Sequence, residues 1–389
     1  MMTMGKSYVY IGNRSSEKQP ANDGMAICEY DTESGKLKHL NHVSKQLSIG
    51  AVYIDTKRKI LYCTDERVDY PGLRAGGGGQ VVAFSIHPEN GALTEINRQP
   101  SYGAKPSFVV TDADSKFLLI TNHGFRNTVT LTEQDAFGKI TLKVLHDESS
   151  IVLYPLQEDG SIGEPCDVFR LTGEGPESFQ LSAHAHSIQR SPLGEWYAVC
   201  DKGGDQMFMF RLDDDKKKIV PCKGSPFPCS PGSAPRYSAF HPTLPYLFVN
   251  KENKTILTAF RYDEEGKLEH VCTIDALPPY ITPPQGFTQS DICVGKSGQY
   301  VYTLLRQVNV ISVFEIDENT GKLTMIQAFE QVCDGPRGCA ASPDGRFLIV
   351  AAHAGHAVVT YPIGEDGTLS PAVSSIVQPA PGTVNFFEI

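Results

Sequence analysis

Tyr246-Leu-Phe-Val-Asn-Lys251 is an aromatic-led, β-prone hexapeptide, apolar at its start and polar at its end, and variants of it recur along the whole chain. The others are Tyr8-Val-Tyr-Ile-Gly-Asn13, Ile60-Leu-Tyr-Cys-Thr-Asp65, Phe117-Leu-Leu-Ile-Thr-Asn122, Trp196-Tyr-Ala-Val-Cys-Asp201, Tyr300-Val-Tyr-Thr-Leu-Leu305 and Phe347-Leu-Ile-Val-Ala-Ala352. Their starts are 52, 57, 79, 50, 54 and 47 residues apart. Most copies follow a turn such as Lys296-Ser-Gly-Gln299 or Ser342-Pro-Asp-Gly-Arg346. A second strand such as Val310-Ile-Ser-Val-Phe-Glu-Ile316 comes next, then a hairpin turn such as Glu318-Asn-Thr-Gly-Lys322. Each unit thus supplies about four short strands with no helical periodicity, the pattern of a β-propeller blade, and seven copies predict an all-β, seven-bladed propeller of antiparallel strands.

Working outward, the N-terminal copy lacks a first strand before it. The C-terminal Pro381-Gly-Thr-Val-Asn-Phe386 is similar to the first-strand segments Pro235-Arg-Tyr-Ser-Ala-Phe240 and Pro106-Ser-Phe-Val-Val110, so it is expected to close the ring beside the N-terminal strand and leave no open sheet edge there. Residues 1–389 are then expected to form one domain. The 79-residue spacing reflects extra sequence over Thr130–Glu148, expected to be a lid over the channel mouth or a subunit contact, in a monomer or small homo-oligomer.

Composition narrows the partners. With 35 Lys+Arg against 45 Asp+Glu the net charge is −10, which argues against nucleic acid or an anionic membrane surface. No window approaches a membrane span, and the start, Met1–Gly5, carries no apolar run behind basic residues, so a cytoplasmic location is expected. The ten cysteines include no C-x-x-C pair and read as reduced, mostly buried thiols.

Equivalent positions in a propeller lie at equal radius and height around one channel. The residue after each hexapeptide is Arg14, Glu66, His123, Lys202, Glu252, Arg306 and His353, ionisable in every copy. Ten residues before each hexapeptide, at the start of the innermost strand, stand Gly50, Ser107, His186, Arg236, Ser290 and Arg337, with Gly382 in the C-terminal copy. Strand-end polar residues often only solvate a rim. Together, however, these two rings place Arg14, Lys202, Arg236, Arg306 and Arg337 against Glu66 and Glu252, a cationic mouth in an acidic protein, suited to a small anionic ligand. His186, Arg236, Glu252 and Arg306 combine a proton carrier, a carboxylate and two guanidiniums, the parts that acid/base chemistry on an anion requires.

The segments His184-Ala-His-Ser-Ile188, Ala234-Pro-Arg-Tyr-Ser-Ala-Phe-His-Pro242, Phe248-Val-Asn-Lys-Glu252, Tyr300-Val-Tyr-Thr-Leu-Leu-Arg306 and Gly335-Pro-Arg-Gly-Cys-Ala-Ala-Ser-Pro-Asp-Gly345 give the chain a resemblance, over essentially its whole length, to the seven-bladed β-propeller lactonases. That group contains the bacterial propeller-type 6-phosphogluconolactonase and the fungal carboxymuconate cyclase. The resemblance implies a metal-free, cofactor-independent enzyme whose catalytic histidine falls on His186, paired arginines on Arg236 and Arg306, and glutamate on Glu252. His184, Arg337, Glu66, His123, Lys202, Arg14, Asp291 and His353 are then expected to line the substrate site. Asp291 departs from the family pattern, following Ser290 where many relatives carry Glu.

Other motifs carry less. His184-x-His186 and His353-x-x-His356 lack a third metal ligand at matching spacing. Arg74-Ala-Gly-Gly-Gly-Gly-Gln80 lacks the ending of a phosphate loop and reads as a loop beside the mouth. Lys216-Lys-Lys218 after Asp213-Asp-Asp215 reads as a solvated hairpin tip, and no Gly-x-Ser-x-Gly elbow is present. The expected function is hydrolysis of an anionic sugar lactone, 6-phosphogluconolactone by resemblance, in the pentose phosphate pathway of carbohydrate metabolism. The alternatives are a lactonizing carboxy-cis,cis-muconate cycloisomerase working the same site in reverse, and a non-catalytic propeller that binds proteins.

Overall fold

The computed structural model describes residues 7–14, 24–69, 76–125 and 128–388, and over these it is a seven-bladed β-propeller. Arg74 and Ala75 of the glycine-rich loop and Met1–Gly5 lie outside the described residues. Each blade is an antiparallel sheet whose second strand is one of the seven hexapeptides. The innermost strands are Ile49–Asp55, Pro106–Thr111, Ala185–Arg190, Pro235–Phe240, Gln289–Val294, Pro336–Ala341 and Pro381–Glu388. Ring closure is the expected one. Pro381–Glu388 pairs antiparallel with Ser7–Asn13, in register from Ser7 against Glu388 to Asn13 against Pro381, so chain start and chain end share one sheet.

Apart from the half-buried leading residues Trp196 and Tyr300 the hexapeptides are buried, as strands covered on both faces by neighbouring blades must be. Their leading aromatic residue has a specific role. In several blades it packs under the hairpin turn of the adjacent blade, where a glycine at positive φ brings backbone onto the ring: Gly91 (φ +71°) over Tyr8, Gly266 (φ +77°) over Trp196 and Gly321 (φ +70°) over Tyr246. A Cβ built on Gly266 would stand 2.5 Å from the Trp196 ring, so the glycine provides contact as well as backbone freedom. Tyr10 and Tyr246 also donate their hydroxyls to turn carbonyls of the neighbouring blade, Gly91 and Asn319.

The inserted segment is a self-contained hairpin, Thr128–Gln134 against Ile140–His146, with no strand of any blade paired to it. It stands off the propeller, and Phe137 at its tip is 97 % exposed.

The blade-to-blade glycine contact predicts a paired result. Gly286 also has a positive φ, +76°, but open space around its Cβ position. Gly286→Ala is expected to cost about 1 kcal/mol from backbone strain alone, and Gly266→Ala at least about 2 kcal/mol more from overpacking, read from urea denaturation midpoints. Equal losses would show that the contact with Trp196 contributes nothing.

Candidate active site

Two repeated backbone features build the channel mouth. First, the residue after each hexapeptide donates its N–H to the carbonyl two residues before the innermost-strand position. Glu66 donates to Ser48 (2.7 Å), His123 to Lys105 (2.9 Å), Lys202 to His184 (3.0 Å) and Glu252 to Ala234 (2.7 Å). Arg306 donates to Thr288 (3.1 Å), His353 to Gly335 (2.9 Å) and Arg14 to Ala380 (3.1 Å). Second, each innermost strand loses register with its neighbour at its second residue, so Gly50, Ser107, His186, Arg236, Ser290, Arg337 and Gly382 all lie on a β-bulge. A bulge leaves its residue out of the ladder and re-aims its side chain. The two sequence rings are therefore real rings, brought to one end of the channel.

Charge at this mouth is organised around Glu252. Its carboxylate takes Lys202 Nζ at 2.6 Å and Arg306 Nη2 at 3.2 Å, with Arg236 Nε at 3.7 Å. Burial works to raise this carboxyl, but Lys202, Arg236, His186 and Arg306 together override it and hold it well below the usual carboxylate range. Arg236 is 1 % exposed, donates to the Ser290 carbonyl, and lies with its guanidinium 4.4 Å from the centre of the Tyr237 ring. Arg14 is paired with Glu66 across the first two blades. Arg337 has no hydrogen-bond or ion-pair partner among the described residues. Burial, followed by the nearby Arg14, Arg236 and Arg306, pushes its guanidinium well below its ordinary value. Burial and Arg236 bring Arg306 down to about 10. Of these five cations Arg14 pairs with Glu66, and Lys202, Arg306 and, at longer range, Arg236 share Glu252, so that five positive charges meet two ion-paired carboxylates and Arg337 has no ion pair among the described residues.

Beside the cations stands a histidine cluster. His123 stacks on His184 with ring centres 4.7 Å apart, and meets His186 edge-on at 5.3 Å. His186 also meets the Tyr237 ring edge-on at 5.1 Å. Burial first, then Arg236, lowers His186 well below 6.5, so its imidazole is neutral at pH 7; its buried Nδ1 has no hydrogen-bond partner. His123 is likewise lowered, by burial and by His184, and its Nδ1 donates to the Gly124 carbonyl (2.8 Å).

The other residues named from the sequence fall in less direct places. His184 is 1 % exposed, with Nδ1 on the His123 carbonyl at 2.9 Å and its ring stacked on that of His123. Asp291 shares the bulge with Ser290 and lies in the wall of a funnel of about 780 Å³ that Gly50, Tyr237 and Gly382 also line, and its oxygens take the N–H groups of Cys339 (2.9 Å) and Ile292 (2.8 Å). Burial pushes its carboxyl up to about 6. His353 binds the Pro381 carbonyl through Nδ1 at 3.2 Å, and burial and Arg337 bring it down to about 4. Gly78 and Gly79 of the glycine-rich loop bond to Val68 and Gly103, beside the mouth. Sequence reasoning missed Tyr237, the aromatic floor under both His186 and Arg236; its position next to Arg236 in an innermost strand was the available signal. No group of three His, Cys, Asp or Glu residues is arranged to hold a metal ion among the described residues.

The sequence profile of the family described as "Lactonase, 7-bladed beta-propeller" matches residues 8–386. The chain belongs to that family. It is 27 % identical over 380 residues to the 6-phosphogluconolactonase of Bacillus subtilis, covering 97 % of this chain and 98 % of that one, and 24 % identical over 347 residues to the 6-phosphogluconolactonase of Formosa agariphila, covering 88 % of each. Among solved structures, the periplasmic gluconolactonase PpgL of Pseudomonas aeruginosa superposes with a TM-score of 0.84 at 19 % identity, over 98 % of this chain and 99 % of that one. No helix among the described residues is long and apolar enough to cross a membrane.

Two measurements check the electrostatics. Glu252→Gln keeps the shape but removes the single carboxylate shared by three cations; it is expected to destabilise the fold by roughly 3–5 kcal/mol, read by urea denaturation. His123, His186 and His353 all have native values below the 6.5 of an unfolded chain. Below about pH 6.5 the unfolded chain therefore binds more protons than the native one, and stability should fall with pH by up to about 1.4 kcal/mol per pH unit for each such histidine. A midpoint unchanged between pH 7.5 and pH 5 would contradict the neutral cluster.

Proposed function

We propose that the protein hydrolyses an anionic sugar lactone, with 6-phosphogluconolactone as its substrate. The observation that carries this reading is the juxtaposition of five cations, which share two ion-paired carboxylates, with a neutral imidazole whose buried Nδ1 has no partner, at one mouth. A phosphate dianion supplies the missing negative charge, and a lactone beside His186 needs a base for water. The names of the two 6-phosphogluconolactonases and of the gluconolactonase above support the same reaction. Ten free thiols, none in a disulfide, support a reducing compartment, the cytoplasm.

In this mechanism Arg337, with the donors of Arg306 that Glu252 leaves free, grips the phosphate as a planar fork. Bound phosphate offsets the field that keeps His186 neutral and so raises its basicity when the substrate is present. His186 takes a proton from water as the oxygen attacks the lactone carbonyl, and Arg236 stabilises the oxyanion. The tetrahedral intermediate collapses with cleavage of the ring C–O bond, and the imidazolium returns the proton to the leaving alkoxide. Glu252, ionised and bonded to Lys202 and Arg306, serves to position the cations and does not act as the base. Tyr237 holds Arg236 and His186 at their mutual angle.

Acid release at constant pH, in the presence of chelator, tests the reading with freshly generated 6-phosphogluconolactone and unphosphorylated gluconolactone. The phosphorylated lactone should turn over faster, and His186→Ala should lower its turnover by roughly 10²–10⁴. Arg337→Met should raise KM for the phosphorylated substrate by roughly 10–100-fold, the worth of a charged hydrogen bond, and leave the unphosphorylated one nearly unchanged. The acid limb of kcat/KM, which reports the free enzyme, should lie below pH 6.5, because the base is already deprotonated there. Acceleration of neither lactone would overturn the hydrolase in favour of the cycloisomerase, read as loss of diene absorbance.

A further inference from the structure

Lys251 ends the second strand of the fifth blade and is 2 % exposed. A buried ammonium ordinarily has a carboxylate beside it. Here the hydrogen-bond partner of Nζ among the described residues is a sulfur, Cys229 Sγ at 3.1 Å, with the Phe260 ring centre 5.9 Å away. The sulfur is held in place from its own side. Cys229 donates its N–H to the Asp205 carbonyl at 2.7 Å, and the Asp205 carboxylate takes the N–H groups of Gly232 (2.6 Å) and Ala234 (2.7 Å) just downstream. Cys229 itself is only half-buried, so a small oxidant reaches the sulfur while Nζ stays packed behind it.

We propose that Cys229 and Lys251 form an oxidative modification site, in which dioxygen joins Sγ to Nζ through one bridging oxygen atom. The pair carries three exchangeable protons whether written as thiol and amine or as thiolate and ammonium. Sulfur and nitrogen each give up two electrons, and dioxygen accepts four. One of its atoms forms the S–O and O–N bonds; the other leaves as water with two of the protons, and the third proton stays on nitrogen. The geometry suits a one-atom bridge, since the two reacting atoms already touch and their backbones are fixed. The bridge also ties together two segments that carry the mouth. Pro235, beside Arg236, pairs with Lys251, beside Glu252, so oxidation stiffens the backbone under the residues of the proposed site.

The test is intact-mass and peptide analysis of the full chain after incubation in air-saturated buffer, against the same protein kept in dithiothreitol. Expected is a gain of about 14 Da, one oxygen added and two hydrogens lost, reversed by dithiothreitol. A linked peptide should contain both residues, with no tryptic cleavage after Lys251. Cys229→Ser and Lys251→Arg should each abolish the gain. Cys229→Ser changes a half-buried side chain and keeps the test available if Lys251→Arg does not fold. A disulfide between Cys293 and Cys339, whose sulfurs lie 3.6 Å apart, would register separately as a loss of about 2 Da. No mass gain, a gain of about 16 or 32 Da confined to Cys229, or persistence of the 14 Da gain in Lys251→Arg overturns the proposal.

Discussion

Seven equivalent backbone hydrogen bonds, each from the residue after a hexapeptide to the carbonyl two residues before the innermost-strand bulge, hold this molecule's functional end together. They fix the two rings against each other at constant spacing whatever the side chains are. The acceptor residue must turn sharply to present its carbonyl, and in several blades it does so at positive φ: Lys105 (53°), Ala234 (55°), Ala380 (40°) and Gly335 (62°). Non-glycine residues adopt that conformation only under tertiary constraint. Ring closure through Pro381–Glu388 supplies the constraint, because a closed ring leaves no blade free to relax its turn.

On this frame the charges are deliberately unbalanced. Glu66 neutralises Arg14 across one blade boundary, and Glu252 is shared by Lys202, Arg306 and, at longer range, Arg236. Arg337 has no ion pair among the described residues, and burial together with Arg14, Arg236 and Arg306 lowers it well below its ordinary value. Cations held in a low-dielectric rim raise each other's cost, and an anion among them would lower it. Burial first, and then the same field through Arg236, keeps His186 neutral. One arrangement therefore sets a concentration of positive charge beside a neutral imidazole.

The fold and the composition of both rings were legible because a propeller converts sequence period into geometry. Arg236, Arg306, Glu252 and His186 could be aligned by counting from Tyr246-Leu-Phe-Val-Asn-Lys251 and its copies, and the structure brings Glu252 to the two arginines and His186 to Tyr237 beside Arg236. Counting could not say which way a side chain points. His184 and His186 share one strand face in an ideal alternation, yet beside the bulge at His186 one stacks flat on His123 while the other meets His123 and Tyr237 edge-on. Asp291 shares its bulge with Ser290, and its carboxyl is committed to the N–H groups of Cys339 and Ile292, which counting could not show.

The sequence by itself determined the blade number, the strand order, the closure of the ring and the excess of positive charge at one end, because each follows from periodicity and residue type. Only the tertiary structure decided who pairs with whom: that Glu252 is shared by Lys202 and Arg306, that Arg337 has no ion pair among the described residues, and that Lys251, one residue from the proposed site, is buried against a cysteine. These outcomes depend on ångström-scale distances between residues roughly fifty positions apart, set by bulges and blade packing that no local pattern encodes.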